Sequence, residues 1–172
     1  MTTPESILSE ARTWLGTRFH HQGRVKANVV HKGGCDCLGL IAGVAAALDL
    51  QSREGLPLAS YDTTDYGRAP DGGKLRETLA RCLHEMPPEE IRPADVLLFR
   101  FEEEPQHVGL VSCHPEPQAK DLPLQGILHC VQDDSLTIIH CYASARKVVE
   151  HRLDDLWRSR IVAAYRFPDI SG

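Results

Sequence analysis

The chain of 172 residues carries a formal net charge of -5, with 42% hydrophobic and 25% charged residues. That balance fits one globular domain with a genuine core, and residues 1–172 are expected to form it. The acidic charge speaks against a surface built for nucleic acid or anionic membrane, so neither is expected as a partner. Arg152, Arg158, Arg160 and Arg166 gather near the end, but acids are interspersed among them and the group reads as a mixed solvated face.

No apolar run approaches the ~20 residues that cross a bilayer. The first residues, Met1-Thr2-Thr3-Pro4-Glu5-Ser6, lack a basic segment followed by an apolar one, so synthesis in the cytoplasm without a signal peptide is expected. In that setting the six cysteines are expected to be reduced thiols rather than a disulfide framework. Cys35-x-Cys37 lacks the two-residue gap of a zinc knuckle, and no second matching pair follows. No metal and no cofactor are therefore expected.

In chain order, Ile7, Ala11, Trp14 and Leu15 recur at helical spacing, predicting a helix over 4–15 with Thr3 or Ser6 as cap and Gly16 as terminator. Residues 17–34 are polar and glycine-marked and read as a loop. A second helix is predicted over 37–48, with Asp36 placed to cap it. A turn-rich stretch with Pro57, Pro70, Gly72 and Gly73 precedes a third helix over 74–83. Thereafter 96–101, 107–113, 136–142, 147–153 and 161–167 have strand-like content. Residues 114–135, rich in proline and polar side chains, are too long for a hairpin turn and read as an insertion or flexible flap. Helices first and strands afterwards is the order of an α+β domain, with helices packed on an antiparallel sheet.

The sharpest chemical signal is Gly33-Gly34-Cys35-Asp36-Cys37-Leu38-Gly39-Leu40-Ile41. It places Cys37 in the first turn of the second helix, where the helix dipole favours thiolate and lowers the thiol pKa. Cys37 shares a helical face with Leu40, Ile41, Val44 and Leu48, which predicts a sulfur aimed at the sheet. Cys35 lies outside the helix and reads as a bystander. His107 starts one predicted strand, and Gly109 on the same side leaves room beside its imidazole. In the next strand, alternation puts His140 on the face of Leu136 and Ile138. A nucleophile needs a base and the base an orienting group, and Cys37, His107 and His140 supply such a set. His20 and His21 are placed to line a cleft. His31, His84, His114, His129 and His151 lie in polar surroundings and read as surface residues.

These residues resemble the NlpC-type cell-wall peptidases, and within them the branch encoded with phage tail genes. Gly16-Thr17-Arg18-Phe19-His20-His21-Gln22-Gly23 looks like the family's loop before the nucleophile, and Asp36-Cys37-Leu38-Gly39-Leu40 like its nucleophile signature. Pro93-Ala94-Asp95-Val96-Leu97-Leu98-Phe99 resembles the family's "Gly-Asp" strand. His107-Val108-Gly109-Leu110 resembles the strand bearing the base, and Ile139-His140 the third position of the triad. Val149-Glu150-His151-Arg152-Leu153 and Tyr165-Arg166-Phe167-Pro168 look like the phage branch. There are departures: Phe19 stands where the family often has tyrosine, Ala94 replaces a common glycine, and Leu38 replaces a small residue.

The resemblance implies a papain-like α+β fold with an antiparallel sheet of about five to six strands. It implies hydrolysis of an amide in peptidoglycan stem peptides, the typical bond joining the γ-carboxyl of D-glutamate to diaminopimelate or lysine. Cys37 would attack, His107 would take its proton and His140 would orient His107. The Cys37 N–H is a candidate oxyanion donor. Asp36 either caps the helix or meets the substrate's free amine. Phage-tail proteins are the implied partners, with delivery in a phage-like particle. An amidase or acyltransferase on the same fold, and a structural tail component with marginal activity, remain as alternatives.

Overall fold

The computed structural model describes residues 2–69, 73–113 and 136–170. The expected 114–135 insertion, with His114 and His129, lies outside them, as do Pro70 and Gly72. Helix α1 (Pro4–Arg12) starts on a reciprocal cap. The Thr3 hydroxyl accepts from the Ser6 N–H at 3.3 Å and the Ser6 hydroxyl accepts from the Thr3 N–H at 3.1 Å, so both expected cap residues act together. Gly16, in the left-handed region at φ 84°, turns the chain away after the helix. The expected loop over 17–34 carries a short ribbon, β1 (Arg24–Val25) against β2 (Gly34–Cys35), so that loop is partly ordered as strand.

Helix α2 (Cys37–Ala47) begins at the predicted residue. Gly39 in its first turn is a space requirement: a Cβ there would sit 2.0 Å from the carbonyl oxygen of Gly23. The loop before β1 therefore crosses directly over the start of α2. Helix α3 (Lys74–Cys82) follows. The strands are β3 (His84–Met86), β4 (Val96–Arg100), β5 (Pro105–Cys113), β6 (Leu136–Tyr142), β7 (Lys147–Arg152) and β8 (Ile161–Arg166). They form one six-stranded sheet in the order β3-β8-β4-β5-β6-β7, antiparallel throughout. Besides that ribbon and two short 3-10 turns (Leu58–Tyr61 and Pro88–Glu90), the pattern reading missed β3 and the one-turn helix α4 (Asp155–Arg158), capped by the Asp154 carboxylate on the Trp157 N–H.

Strand alternation gives the sheet two apolar faces, and both are covered. Leu40, Ile41 and Val44 of α2, with Ile7 and Ala11 of α1, pack on Val108, Leu110, Ile139 and Cys141. Phe99, Val111, Leu136 and Ile138 lie in a second cluster with Trp157 of α4 and Leu153. Arg12 ties α1 to the sheet with a two-pronged grip on Glu150 of β7, at 3.1 and 2.9 Å. Cys113, at the end of β5, is disulfide-bonded, contrary to the expectation of reduced thiols throughout, whereas Cys35, Cys37, Cys82 and Cys141 are free. Among the described residues no helix is long and apolar enough to cross a membrane.

The turn into β4 shows what the departure at Ala94 involves. Ala94 sits at φ 75°, a conformation glycine adopts without strain. The turn persists because Asp95, buried to 1% exposure, is gripped from three sides. Its carboxylate accepts from Arg166 Nε at 2.8 Å and Nη2 at 2.7 Å, and from the Arg92 N–H at 2.7 Å. This joins the start of β4 to the end of β8. Removing one member of such a pair strands the other charge, so Asp95→Ala is predicted to cost about 3 kcal/mol of folding stability. Urea unfolding checks it; a loss below about 1 kcal/mol would class the pair with ordinary surface bridges.

Candidate active site

Asp36 builds the start of α2. Its side chain caps the helix, accepting from the Gly39 N–H at 2.9 Å. The same carboxylate accepts from the Gln22 N–H at 2.7 Å, from the Tyr66 hydroxyl at 2.6 Å and from Arg24 Nη1 at 3.2 Å. Arg24 in turn holds Asp62 and the Tyr66 hydroxyl. Of the two roles open to Asp36, the structure displays the cap. A carboxylate offers about four acceptor directions, and here each oxygen already serves two protein donors. A substrate amine would have to displace one of them. Arg24 and Tyr66 were missed in sequence because both lie in stretches that read as featureless loop.

Cys37 follows as the first residue of α2, half-buried, at the edge of a cleft of about 480 Å³. Phe19, His21, Tyr66, His107 and Tyr142 also line this cleft. His20 does not, and Cys35 is fully buried beneath it, with its carbonyl accepting from the Cys141 thiol at 3.0 Å. The first hydrogen bond of α2 runs from the Leu40 N–H to the Asp36 carbonyl. The Cys37 N–H thus has no helical acceptor.

His107 and His140 are brought together: Nε2 of His107 lies 2.8 Å from Nδ1 of His140, with both residues buried. Gly109 makes room for this, since a Cβ there would lie 3.0 Å from the His140 Cβ and 2.6 Å from Ile138 Cδ1. The imidazoles stand on the sheet face shared with Phe99, Ile138 and Trp157, opposite the face that α2 covers. Sulfur and imidazoles thus stand on different sides of the sheet. They approach from opposite faces and meet at the cleft because the sheet opens there. The β5–β6 ladder runs from Cys113↔Leu136 to Leu110↔Ile139 and stops, although both strands continue. In that opening the Val108 N–H is free to bond the Cys37 sulfur. No direct hydrogen bond joins the described residues Cys37 and His107, a looseness common before substrate binds.

A third imidazole belongs to the site. His151, read in sequence as a surface residue, places its Nε2 2.9 Å from His140 Nε2. It sits opposite Ile138 in the β6–β7 register, diagonal to His140 on the same face. Trp157 covers the pair, 4.7 Å from His140 and 5.4 Å from His151 between ring centroids. Tyr142 stacks on His140 at 5.4 Å.

This enclosure decides the resting charge. Burial pushes the Cys37 thiol up from 9.0 to about 12, and the Asp36 carboxylate adds to that; the Val108 N–H works in the opposite direction. Burial pulls His107 from 6.5 down to about 3 and His140 down to about 2, the latter helped by its two imidazole neighbours. The Cys37 pKa was expected to fall; burial instead pushes it up, despite the N–H groups of Val108, Leu38 and Cys37 that favour thiolate. Both shifts favour the neutral pair, thiol on Cys37 and imidazole on His107. Among the described residues no cluster of three or more His, Cys, Asp or Glu is arranged to hold a metal.

The fold aligns with a crystal structure of the NlpC/p60 domain of the peptidoglycan hydrolase SagA over 96% of this chain and 100% of that one, with a TM-score of 0.53 at 12% identity. An N-acetylmuramoyl-L-alanine amidase from Bacteroides uniformis aligns over 94% and 96%, with a TM-score of 0.49 at 11% identity. No protein-family model and no curated protein matches the sequence. The chain has the papain-like α+β fold of an NlpC/p60 domain.

A neutral resting pair has a measurable consequence. Reaction of Cys37 with iodoacetamide is predicted to be slow near pH 6 and to keep rising through about pH 9, because the thiol is raised and the base is lowered. Site-resolved mass spectrometry reads the rate; a plateau already reached near pH 6 would mean that the pair rests as thiolate and imidazolium.

Proposed function

We propose that this protein is a cysteine peptidase that cleaves amide bonds in peptidoglycan stem peptides. The observation that carries the reading is the His107–His140 bond of 2.8 Å, opening onto the same cleft as a cysteine at a helix start. A lone buried thiol would need no base, and a lone core histidine would need no cleft. The fold shared with the NlpC/p60 domain of a peptidoglycan hydrolase supports the substrate class.

In the reaction, substrate binding aligns Sγ of Cys37 with Nδ1 of His107, and His107 takes the thiol proton as sulfur attacks the scissile carbonyl. The developing oxyanion meets the Cys37 N–H at the helix start. His107 returns the proton to the leaving amine, and water then hydrolyses the thioester with the same base. His140 is the positioning residue that holds the His107 ring. The enclosure that keeps both groups neutral at rest also strengthens their hydrogen bond once charge appears.

The bond we assign joins the γ-carboxyl of D-glutamate to diaminopimelate or lysine, and the setting we assign is a phage-like particle whose tail proteins bring the enzyme to the wall. Digestion of purified peptidoglycan tests the activity. New diaminopimelate or lysine amines paired with free D-glutamate γ-carboxyls are expected among the products. His107→Ala is predicted to lose ~100- to 10,000-fold in rate, the range of proton transfer, and His140→Asn to keep more activity than His140→Ala. Cleavage at the lactyl–alanine bond would instead make the protein an amidase, and intact wall after exposure to the folded wild type would leave a structural role.

A further inference from the structure

The mechanism above uses two imidazoles of a string of three. At its outer end, Nδ1 of His151 lies 2.8 Å from the carbonyl oxygen of Arg152. A carbonyl only accepts, so this nitrogen carries a proton. A neutral His151 then has a bare Nε2, which accepts from His140 Nε2 across 2.9 Å. His140 is thereby left with a bare Nδ1, which accepts from His107 Nε2 across 2.8 Å. The string ends on a bare Nδ1 of His107, the nitrogen left for the cleft. One backbone carbonyl on β7 dictates, through three rings, that the base presents a lone pair to the nucleophile.

The same string has a second, mirror-image state. When His107 Nδ1 takes the proton of Cys37, its Nε2 proton can pass to His140 Nδ1, and the His140 Nε2 proton to His151 Nε2. Each ring gains one proton and loses one, except His151, which gains one and becomes imidazolium. Sulfur loses one and becomes thiolate. His107 then holds its proton on Nδ1, facing the sulfur. His107 and His140 are buried to 5% and 0% exposure, whereas His151 is half-exposed at the sheet edge. Charge is better solvated at the outer ring than at either inner one.

We propose that His151 is a positioning residue, the outer terminus of a three-imidazole proton chain that fixes the tautomer of His107 and receives the positive charge formed when Cys37 is deprotonated. The proposal rests on the assignment of Cys37 and His107 as nucleophile and base. It explains why a site so hostile to an inner imidazolium can still ionise its thiol. The surroundings of His151 are compatible with the role: it faces His140 from β6 and the indole of Trp157 from α4. On its own strand Glu150 is committed to Arg12, and Arg160 lies over the Trp157 ring.

NMR of the imidazole nitrogens in the full chain, without substrate, tests it. At neutral pH, His151 is expected to be protonated on Nδ1, and His140 and His107 on Nε2. On acidification, the first proton to enter the string should leave His151 doubly protonated, while His140 and His107 switch together to Nδ1–H. His151→Gln offers an acceptor for His140 but cannot hold the charge. It should keep the neutral-pH tautomers, lose the switch, and lower kcat on the order of 10-fold with KM unchanged, less than loss of the base itself. A first proton found on His107 with His140 unchanged would overturn the proposal, as would wild-type kcat in folded His151→Gln. Because the tautomers are read without substrate, failure to cleave peptidoglycan would refute the activity and leave the chain standing.

Discussion

The buried carboxylate of Asp36 is the constraint on which the site depends. Its four hydrogen bonds join the first turn of α2, the loop that crosses over Gly39, and the Tyr66 side of the cleft. Without them nothing in the local sequence would hold Cys37 at a helix start facing a cleft. Asp36 also carries an electrostatic cost. Its charge disfavours the neighbouring thiolate while favouring an imidazolium on His107. Arg24, held against it, offsets part of that charge.

The second constraint is the divided sheet. A helix can cover only one face, yet Cys37 and His107, the proposed nucleophile and base, stand on opposite ones. The fold resolves this by stopping the β5–β6 ladder at Leu110↔Ile139, so that the chain beyond opens like a notch. The far face then has to be sealed separately. Trp157 does so, packing edge-on against Phe99 and His140. The result is an apolar enclosure that disfavours charge on either partner.

Much of this was legible in the chain. The Asp36-Cys37 step fixed the start of α2 because a capping side chain and a glycine-marked entry are local signals. The bounds of β6 and the face of His140 followed from alternation, which is also local. Which face a helix covers is not local, and alternation could not say that sulfur and imidazole lie on opposite sides. His151 was misread because its sequence neighbours, Glu150 and Arg152, are charged, while its spatial neighbours come from β6 and α4. The one-turn helix that supplies Trp157 is too short to show a period. The raised thiol pKa was missed for a related reason: a helix dipole is visible in sequence, but the desolvation that opposes it depends on tertiary packing.

The central claim is that Cys37 forms a covalent bond to the acyl part of its substrate. The most direct measurement is to quench a stem-peptide reaction within the first turnover and locate any added mass on the protein. The account predicts a hydroxylamine-sensitive thioester on Cys37, carrying the fragment that ends in the D-glutamate γ-carbonyl and absent from Cys37→Ala. Product formed by Cys37→Ala at the wild-type rate, or an adduct on a different residue, would contradict it.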